Sequence, residues 1–586
     1  MWSEPPSTLV QLVEHFAREK PDDLAFAFLG DGEVVTEEIS FSELHDIAVQ
    51  IAARLRDRVA PGSRVMLVHC AGLDFLKAFF GVAYSGAVAV PVYPPERSRL
   101  AVDFARIANI ARDCDARLIL CDEQFLELGE EITRLQPDLA LREWLGLDPW
   151  LKQPPVPPAR CAVQSETLAM LQYTSGSVGA PKGVMLSHGN LLANQASIRE
   201  SLAVPEAATF VSWLPLYHDL GFIGMILQAL YVGGRCYLMS PHHFIQKPSR
   251  WLSAVSRFRA YLSGGPNFAF ELCLNRVPEQ ARADLDLTSW KVAFCGAEPI
   301  RPGTMRRFVE VYAEHGLNEA AIHPCYGLAE SSLLVTGATP SAGAHYGWFE
   351  PAALRGGWAQ SVDKQFEGAA ELVSSGRAPS NQSVEIMELD SMRLLSDGYR
   401  GEVCVSGPSI AQGYWSNPEA TDAGFVTAAD GIRWLRTGDL GFRLDGEVFI
   451  VGRLKEAIII RGRNFMPQDF EHCVQAASPL FRLGSGAAFG VDHKGEEKLV
   501  VVQEVARVRR HGVAELAADA VARILNDHQV QVHALVLVEP RGVSKTRNGK
   551  IARTACRAAY LSDLLPVVGI YMNSAFELRR EPADAS

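Results

Sequence analysis

One short segment concentrates hydroxyl, glycine and lysine residues in a pattern that suits the binding of a polyphosphate. It follows an apolar run, Leu168 to Gln172, and reads Tyr173-Thr-Ser-Gly-Ser-Val-Gly-Ala-Pro-Lys-Gly183. Glycines let backbone N–H groups approach an anion closely, hydroxyls donate hydrogen bonds to it, and lysine adds a positive charge. The segment is not a Walker loop, because here the lysine precedes glycine rather than serine or threonine. The candidate phosphate ligands are Thr174, Ser175, Gly176, Ser177, Gly179 and Lys182.

The surrounding pattern predicts a parallel sheet covered by helices. Val65 to Val68 reads as a strand, Asp74 to Tyr84 as a helix and Ala87 to Val92 as a second strand, which is a βαβ arrangement. The alternation resumes after a proline-rich stretch, residues 154–158, so we expect two α/β lobes joined there. From about Gly401 short strands and turns replace this alternation.

Composition excludes several classes of protein. The 586 residues exceed one ordinary domain, and 48% hydrophobic with 21% charged residues is typical of a globular protein. A net charge of −12 argues against a nucleic-acid-binding surface. The 11 cysteines form no C-x-x-C pair, so neither a zinc site nor a disulfide framework is expected. The N-terminus lacks signal-peptide features and no apolar stretch is long enough to span a membrane, so we expect a cytoplasmic protein.

Four further segments, in order along the chain, strengthen the interpretation. They are Tyr326-Gly-Leu-Ala-Glu330, Arg436-Thr-Gly-Asp439, Gly452-Arg-Leu-Lys-Glu456 and Asn548-Gly-Lys-Ile551. With the phosphate loop they resemble the motifs of the adenylate-forming superfamily, which includes acyl-CoA synthetases, luciferases and peptide-synthetase adenylation domains. The resemblance covers essentially the whole chain and implies that a carboxylate is activated by ATP.

The resemblance also implies roles for individual residues. Glu330, with Thr174, would hold Mg²⁺, and Asp439 would accept hydrogen bonds from both ribose hydroxyls. Adenine would lie between the Gly296-Ala297-Glu298 segment and Tyr326. Gly327, Ala329 and Arg453 complete the expected nucleotide site.

Lys550 is the residue expected to carry the adenylation step, with Lys182 and Glu330 as the other catalytic groups. Attack of a carboxylate on the α-phosphate brings two anions together, so neutralisation of charge must supply much of the catalysis. By resemblance, Lys550 lies on a mobile C-terminal loop and Lys455 lies at a hinge. Rotation at this hinge would remove Lys550 before a thiol attacks the adenylate.

Closer features resemble one branch, the fatty acyl-AMP ligases, which pass the acyl group to an acyl carrier protein. The segments are 214–221, 263–268, 406–415 and 460–469. Pro467-Gln-Asp469 separates this branch from acyl-CoA synthetases, which usually have proline and a glutamate pair there. The branch carries an insertion that impedes the CoA-accepting arrangement, and we place it at about residues 338–368. An ordinary long loop without a gating role remains the alternative.

The acyl pocket is expected near His218, Phe222 and Met225. By resemblance His218 and Asp219 lie at the pocket entrance, where positioning is expected rather than proton transfer, since a carboxylate is already ionised. The apolar run from Phe222 to Leu227 suits either a tunnel wall or a helix core, and the sequence does not decide between them.

These inferences define the expected molecule. A large N-terminal domain, residues 1–452, holds two α/β lobes and a small β-barrel, residues 453–457 form the hinge, and residues 458–586 form a smaller, mobile α+β domain. ATP and Mg²⁺ are the expected cofactors, a fatty acid is the substrate, and a carrier protein bearing a phosphopantetheine arm is expected as a separate partner. A fatty acyl-CoA ligase and a non-catalytic adenylate-binding protein are the alternatives.

Overall fold

The described part of the chain folds around four β-sheets of five or more strands. The computed structural model describes residues 5–154, 162–174, 181–460, 463–493, 496–506, 513–546, 549–572 and 575–578. Helices cover both faces of the first two sheets, and their side chains meet in one large apolar cluster that includes Phe26, Phe79, Phe222 and Trp251. The mixed α/β class predicted from the sequence is confirmed.

The first sheet has six strands and ends at the predicted phosphate loop. All neighbours are parallel except the last pair, which is antiparallel. The strands are rich in valine, leucine and alanine because both faces are covered. In spatial order they are Glu143–Leu145, Leu118–Cys121, Arg64–Val68, Val88–Val92, Leu168–Thr174 and Lys182–Ser187.

The second sheet has eight strands, parallel in the middle and antiparallel at each edge. In spatial order they are Leu334–Gly337, Ile322–Gly327, Val292–Cys295, Leu262–Gly265, Thr209–Ser212, Arg235–Met239, Leu24–Leu29 and Val35–Ser40.

The proline-rich stretch does not separate the two lobes, and this expectation was wrong. Leu168–Thr174, which follows that stretch, pairs with Val88–Val92 in the first sheet. Leu24–Leu29, from near the N-terminus, pairs with Arg235–Met239 in the second. Local alternation predicts strands well, but partners so distant in sequence are chosen by packing that the local pattern does not contain.

A third, smaller sheet occupies the region expected to form a barrel. Its five antiparallel strands are Ser383–Met387, Gly401–Ser406, Phe425–Thr427, Arg433–Leu444 and Glu447–Arg453. Within residues 383–453, all of which are described, the pairings form an open sheet and do not close a barrel. Asp445 and Gly446 join the last two strands with φ values of 52° and 78°, as a tight hairpin requires.

The C-terminal region has its own sheet and its own apolar clusters. Its strands are Phe481–His493, Glu496–Val505, Val532–Val538, Val567–Met572 and Ala575–Leu578, and Ile458–Ile460 pairs with Arg463–Phe465 beside them. The helices are Pro467–Gln475, Val513–His528 and Arg553–Leu561. This is the smaller α+β unit that the sequence predicts.

The helices of the large N-terminal region follow the apolar periodicity of the sequence. Leu9, Leu12, Val13 and Phe16 are all buried in the first helix, and the Thr8 hydroxyl accepts the Gln11 N–H at its start. None of the helices in the described ranges is both long and apolar enough to cross a membrane. The longer helices are Leu9–Glu19, Phe41–Leu55, Leu73–Ser85, Leu100–Asp113, His188–Ser201, Ser249–Arg257, Asn267–Arg276 and Pro302–Tyr312. Shorter ones are Glu123–Leu126, Gly129–Leu135, Pro137–Ala140, Asp148–Leu151, Asp219–Gly221, Gln228–Tyr231, Pro241–Gln246, Pro351–Gly356 and Pro418–Gly424.

The segment predicted to be an insertion docks on the protein. Tyr346–Phe349 pairs with Ala370–Val373, and the buried Phe349 ring lies 5.1 Å from Phe442. The Arg306 guanidinium lies 4.2 Å from the centre of the Tyr346 ring and forms an ion pair with Glu371. Trp358, by contrast, is 45% exposed, so it does not share in this docking.

Candidate active site

A cavity of about 2230 Å³ lies between the sheets of the large region and the C-terminal region. Residues from both regions line it, including Thr174, Lys182, Tyr326, Asp439 and Lys550. The carboxyl ends of parallel strands open into it, which is where ligands bind in α/β sheets. The structure therefore gathers widely separated sequence motifs around one space.

One wall of the cavity forms where two neighbouring parallel strands end. Val292–Cys295 pairs with Ile322–Gly327, so Gly296 and Tyr326 emerge side by side. A Cβ at Gly296 would lie 2.7 Å from Cys325 Sγ and 2.8 Å from its carbonyl oxygen, so only glycine fits this approach. Ala297 follows with φ at 66°, which turns the chain toward the cavity.

Glu298 continues this wall and has a structural partner. Its carboxylate accepts the N–H of Phe268 at 2.6 Å. Burial raises the pKa of Glu298 despite that hydrogen bond. The geometry gives Glu298 the task of holding the start of helix Asn267–Arg276 beside the cavity.

Asp439 is fixed by two partners that leave it at the cavity surface. The Tyr326 hydroxyl donates to Asp439 Oδ2 at 2.6 Å, and Arg453 Nε donates to Oδ1 at 3.0 Å. Asp439 is only 4% exposed, and its charge raises the pKa of Arg453. Burial raises the pKa of Tyr326, and the charge on Asp439 raises it further.

Glu330 lies on a short turn, Ala329–Ser331, that contacts the phosphate-loop strand Lys182–Ser187. Its Oε1 accepts the Tyr414 hydroxyl at 2.8 Å, and burial raises its pKa. Lys182 Nζ lies 4.8 Å from the centre of the same Tyr414 ring. Ala329 is buried behind Glu330, and a Cβ at Gly327 would lie 1.8 Å from the Leu333 carbonyl oxygen. Tyr414 therefore links two predicted catalytic residues.

The phosphate loop itself is only partly described. Thr174 pairs with Lys182 across its base, in register between an antiparallel strand pair. Ser175, Gly176, Ser177 and Gly179 lie outside the described residues.

Lys550 reaches the cavity on a turn of the C-terminal region. Thr546 N–H donates to the Lys550 carbonyl at 2.7 Å, and Lys550 N–H donates to Thr546 Oγ1 at 3.2 Å. Gly549 has φ at 81°, and a Cβ there would lie 3.1 Å from the Phe268 ring. The turn thus sits directly against the large region.

The charges around Lys550 define its surroundings. Burial lowers the pKa of its ammonium group, and the attraction of Asp219 and Glu298 only partly offsets this. Burial alone would raise the pKa of Asp219, but His218 and Lys550 together lower it. The carboxylates of Asp219 and Glu298 therefore favour the charged form of Lys550, although burial outweighs their effect on its pKa.

His218 and Asp219 form a close pair at the start of a short helix. His218 Nδ1 lies 2.5 Å from Asp219 Oδ1, and the Leu220 N–H points at both groups. His218 lines the cavity.

The apolar end of the cavity is not built from the residues that the sequence suggested. Phe222 and Met225 are fully buried, and Phe222 packs against Phe79 with ring centres 4.3 Å apart. Gly224, between them, lines the cavity. Residues 222–227 form a π-helical turn, in which the side chains of Phe222 and Met225 are buried in the core instead. Phe222 and Met225 are therefore core residues. The apolar lining comes instead from Ile198, Leu202, Leu220, Leu262, Leu333 and Leu334.

Two contributing residues received no specific role from the sequence. Tyr414 lies in the segment 406–415, and the Gly413-Tyr414 pair was the available signal in the sequence. In the structure Gly413 has φ at 141°, and the Tyr414 hydroxyl reaches Glu330. Asp219 was paired with His218, but nothing local showed that Lys550, more than 300 residues later, would face it.

Lys455 lies in a single turn, Leu454–Glu456, at the cavity wall. On one side of it Arg453 bonds to Asp439 of the large region. On the other side Glu456 accepts Arg553 Nη1 of the C-terminal region at 2.6 Å. The chain therefore bonds to the large region just before Lys455 and to the C-terminal region just after it.

Comparison with known proteins agrees with this architecture. Residues 13–415 match the family model described as AMP-binding enzyme, and residues 455–569 match that of the Disco-interacting protein 2-like AMP domain. A medium-chain-fatty-acid–acyl-carrier-protein ligase of Moorena producens is 37% identical, covering 95% of this chain and 96% of the relative. A long-chain-fatty-acid–AMP ligase of Mycobacterium tuberculosis is 32% identical, with 92% and 94% covered.

Solved structures give the same result. A structure from a study of fatty acyl-adenylate ligases of E. coli and L. pneumophila superposes with a TM-score of 0.87 at 29% identity, covering 96% of this chain and 98% of that chain. A fatty acid AMP ligase of Legionella pneumophila gives 0.74 at 34% identity, covering 97% and 98%. The chain belongs to the AMP-binding enzyme family, in its branch of fatty acyl-AMP ligases.

Proposed function

We propose that this protein joins a fatty acid to AMP and then transfers the acyl group to the phosphopantetheine thiol of an acyl carrier protein. The observation that carries the proposal is that Lys550 lines the cavity that Thr174, Asp219 and Asp439 also line, and that the carboxylates of Asp219, Glu298 and Asp439 attract its ammonium group. A cation in this cavity can stabilise a carboxylate and a phosphate that meet there.

In the first step a carboxylate oxygen of the fatty acid attacks the α-phosphorus of ATP. The bond from phosphorus to the bridging oxygen breaks, and pyrophosphate leaves with the bonding electrons. Lys550 would stabilise the charge that the two anions share, and the acid needs no general base because it is ionised at neutral pH. Asp439 would hold the ribose, while Tyr326 and the 296–298 segment would enclose the adenine.

The residues present fit the Mg²⁺ ion that the family implies. Glu330 offers a carboxylate with one oxygen already oriented by Tyr414, and Thr174 offers a hydroxyl in the same cavity. Mg²⁺ takes oxygen ligands and is commonly held by one or two carboxylates together with substrate phosphates. When bound, the ion would neutralise charge on the phosphates.

In the second step the thiol sulfur attacks the acyl carbonyl carbon, the thiol proton is lost, and AMP leaves with the electrons of the carbon–oxygen bond. Lys550 has no task in this step. We propose that residues 453–457 act as the hinge between a region ending near Gly452 and one beginning near residue 458. Arg453, before Lys455, bonds to Asp439 of the large region, and Glu456, after it, bonds to Arg553 of the C-terminal region, which supports this position.

We also propose that the docked segment, residues 338–368, favours carrier protein over CoA. Its helix Pro351–Gly356 lies against strand Arg463–Phe465 of the C-terminal region. Its Phe349 is anchored among Phe442 and Phe449 of the large region. A segment tied to both regions can restrict rotation between them. The ordinary-loop alternative predicts no such restriction.

The partner and the compartment follow from the same proposal. The carrier protein would act in trans, and the relatives named as acyl-carrier-protein ligases support this choice. All ten cysteines in the described ranges are unpaired thiols, which supports a reducing, cytoplasmic setting.

The decisive experiment is an acceptor assay. Purified protein receives fatty acids of several chain lengths and Mg-ATP, with either CoA or a carrier protein bearing phosphopantetheine. We expect acyl-AMP and pyrophosphate in both reactions and rapid thioester formation only with the carrier protein. Rapid acyl-CoA formation would establish the CoA ligase alternative. Absence of fatty-acid-dependent pyrophosphate exchange across all acids would favour a non-catalytic adenylate-binding protein.

A further inference from the structure

A second cation lies in the cavity wall beside the base of the phosphate loop. Arg106, on helix Leu100–Asp113, lines the same cavity as Thr174 and Lys182. Its guanidinium lies 4.3 Å from the centre of the Tyr93 ring and is half-buried. The sequence motifs gave this residue no role.

Strand register places Arg106 close to Thr174. Strand Val88–Val92 runs parallel to Leu168–Thr174, with Ala89 opposite Met170. Four residues further along each strand, Tyr93 lies level with Thr174, and neighbouring strands are about 4.8 Å apart. On the other side of Thr174, the antiparallel register places Lys182 directly opposite. Arg106 and Lys182 therefore flank the residue at which the phosphate loop begins.

Arg106 has no carboxylate or hydrogen-bond partner among the described residues, where the Tyr93 ring alone supports its guanidinium. Arg112 on the same helix bonds to Asn109 and forms an ion pair with Asp138. The nearby carboxylate of Asp103 receives the Tyr93 hydroxyl and the Glu96 N–H. A half-buried guanidinium oriented by stacking, with its donors free, is suited to a ligand anion, and the planar fork matches phosphate.

We propose that Arg106 binds the β- and γ-phosphates of ATP and the pyrophosphate that they become. The inference rests on the proposed function, since it extends the same adenylation site. It assigns Arg106 to the leaving group, at the base of the loop, whereas Lys550 approaches from the C-terminal region. The binding of AMP, which lacks both terminal phosphates, does not depend on Arg106.

Calorimetry with Arg106→Gln tests the assignment by comparing ATP, inorganic pyrophosphate and AMP. Charge-assisted hydrogen bonds of this type predict a loss of about 10- to 100-fold in affinity for ATP and pyrophosphate, with AMP unchanged. Arg112→Gln removes the same charge from the same helix outside the cavity and should leave all three affinities unchanged. Arg106→Lys retains the charge without the fork and should show an intermediate loss, which also covers the case in which Arg106→Gln does not fold.

Equal weakening of AMP and ATP, or unchanged affinity for pyrophosphate, would overturn the assignment. A raised KM for fatty acid with unchanged pyrophosphate affinity would also overturn it, because Arg106 would then serve the acyl substrate. The two proposals fail separately: the proposed function fails if the wild-type protein shows no fatty-acid-dependent pyrophosphate exchange, whereas the role of Arg106 is decided by the differences among the three binding affinities.

Discussion

The Tyr326 hydroxyl donates a 2.6 Å hydrogen bond to the carboxylate of Asp439, and the two residues are 113 positions apart in the chain. This bond joins the end of a strand in the large parallel sheet to the smaller antiparallel sheet. It also fixes the carboxylate that we assign to the ribose, with Arg453 on its other oxygen. The same hydrogen bond therefore joins the two sheets and orients the carboxylate proposed to bind the ribose.

Replacement of Asp439 by asparagine should weaken AMP binding by about 10- to 100-fold, because hydrogen bonds to a charged acceptor are lost. Tyr326→Phe keeps the ring but removes the bond that orients Asp439, so we expect a smaller loss of about threefold to tenfold. Calorimetry with AMP measures both effects. Asp430→Asn, on an exposed loop of the same sheet region, is the matched control. Wild-type affinity in Asp439→Asn would remove the ribose assignment.

His188 should make the protein sensitive to acid. Its Nδ1 accepts the Leu9 N–H at 3.2 Å, it is 1% exposed, and burial lowers its pKa from 6.5 to about 4. The unfolded chain therefore binds a proton at this residue between these two pH values and the folded chain does not. Stability should fall as the pH decreases from about 6.5 to about 4, by up to about 3 kcal/mol.

Thermal midpoints of the wild type and His188→Gln between pH 7.5 and 4 test this expectation. The variant should lose less stability than the wild type over that range, because glutamine does not titrate. His242→Gln replaces an exposed histidine and should follow the wild type. Parallel curves for the wild type and His188→Gln would show that His188 does not titrate as described.

Sequence motifs located several residues of the cavity wall and missed others. Asp439, Glu330 and Lys550 were found because each lies in a short, distinctive segment. Phe222 and Met225 were misplaced because an apolar run has the same appearance in a core and in a tunnel, and the π-helical turn that decides between them depends on packing. The electrostatic effect of Lys550 on Asp219 and the stacking of Arg106 on Tyr93 depend on long-range geometry, which no local pattern contains.

Arg553 should be important for the stability of the C-terminal region. It donates to Glu471 at 2.7 Å and to Glu456 at 2.6 Å, and its side chain is 14% exposed. Arg553→Ala removes the cation that pairs with both carboxylates and leaves Glu471 only the N–H of Ala488, so it should cost about 3 to 5 kcal/mol.

The tryptophans allow this loss to be localised, since all ten precede residue 453. In Arg553→Ala, the urea transition seen by proteolysis of the C-terminal region should move to lower urea concentration, while tryptophan fluorescence changes little. Arg557→Ala, one turn later, removes only a hydrogen bond to the Gly490 carbonyl and is the control. Equal shifts in both signals would mean that Arg553 stabilises the whole chain rather than one region.

Loosening the docked segment should alter the choice of acceptor. Phe349→Ala removes a buried ring that packs edge to face on Phe442 and Phe449, whereas Trp358→Ala removes an exposed ring from the same segment. If the segment restricts rotation, CoA-dependent turnover should rise several-fold in the first variant only. Thioester formation with CoA and with carrier protein is measured for both. A folded Phe349→Ala protein with unchanged preference would identify the segment as an ordinary loop.

Lys550 should act in one half-reaction only, and its protonation should limit that step at high pH. Lys550→Ala should reduce adenylate formation by at least about 100-fold, as expected when a group that stabilises transition-state charge is removed. Transfer from supplied acyl-AMP to the carrier protein should be retained.

Because burial lowers the pKa of Lys550, the wild-type adenylation rate should decline in alkaline solution below the ordinary lysine range of about 10.4. Lys550→Arg stays charged, so its rate should be lower overall and lack this alkaline decline. Lys498→Ala replaces a partly exposed lysine of the same region that forms an ion pair with Glu496, and it should behave as wild type. Equal loss of both half-reactions in Lys550→Ala would contradict the separation of roles on which the hinge depends.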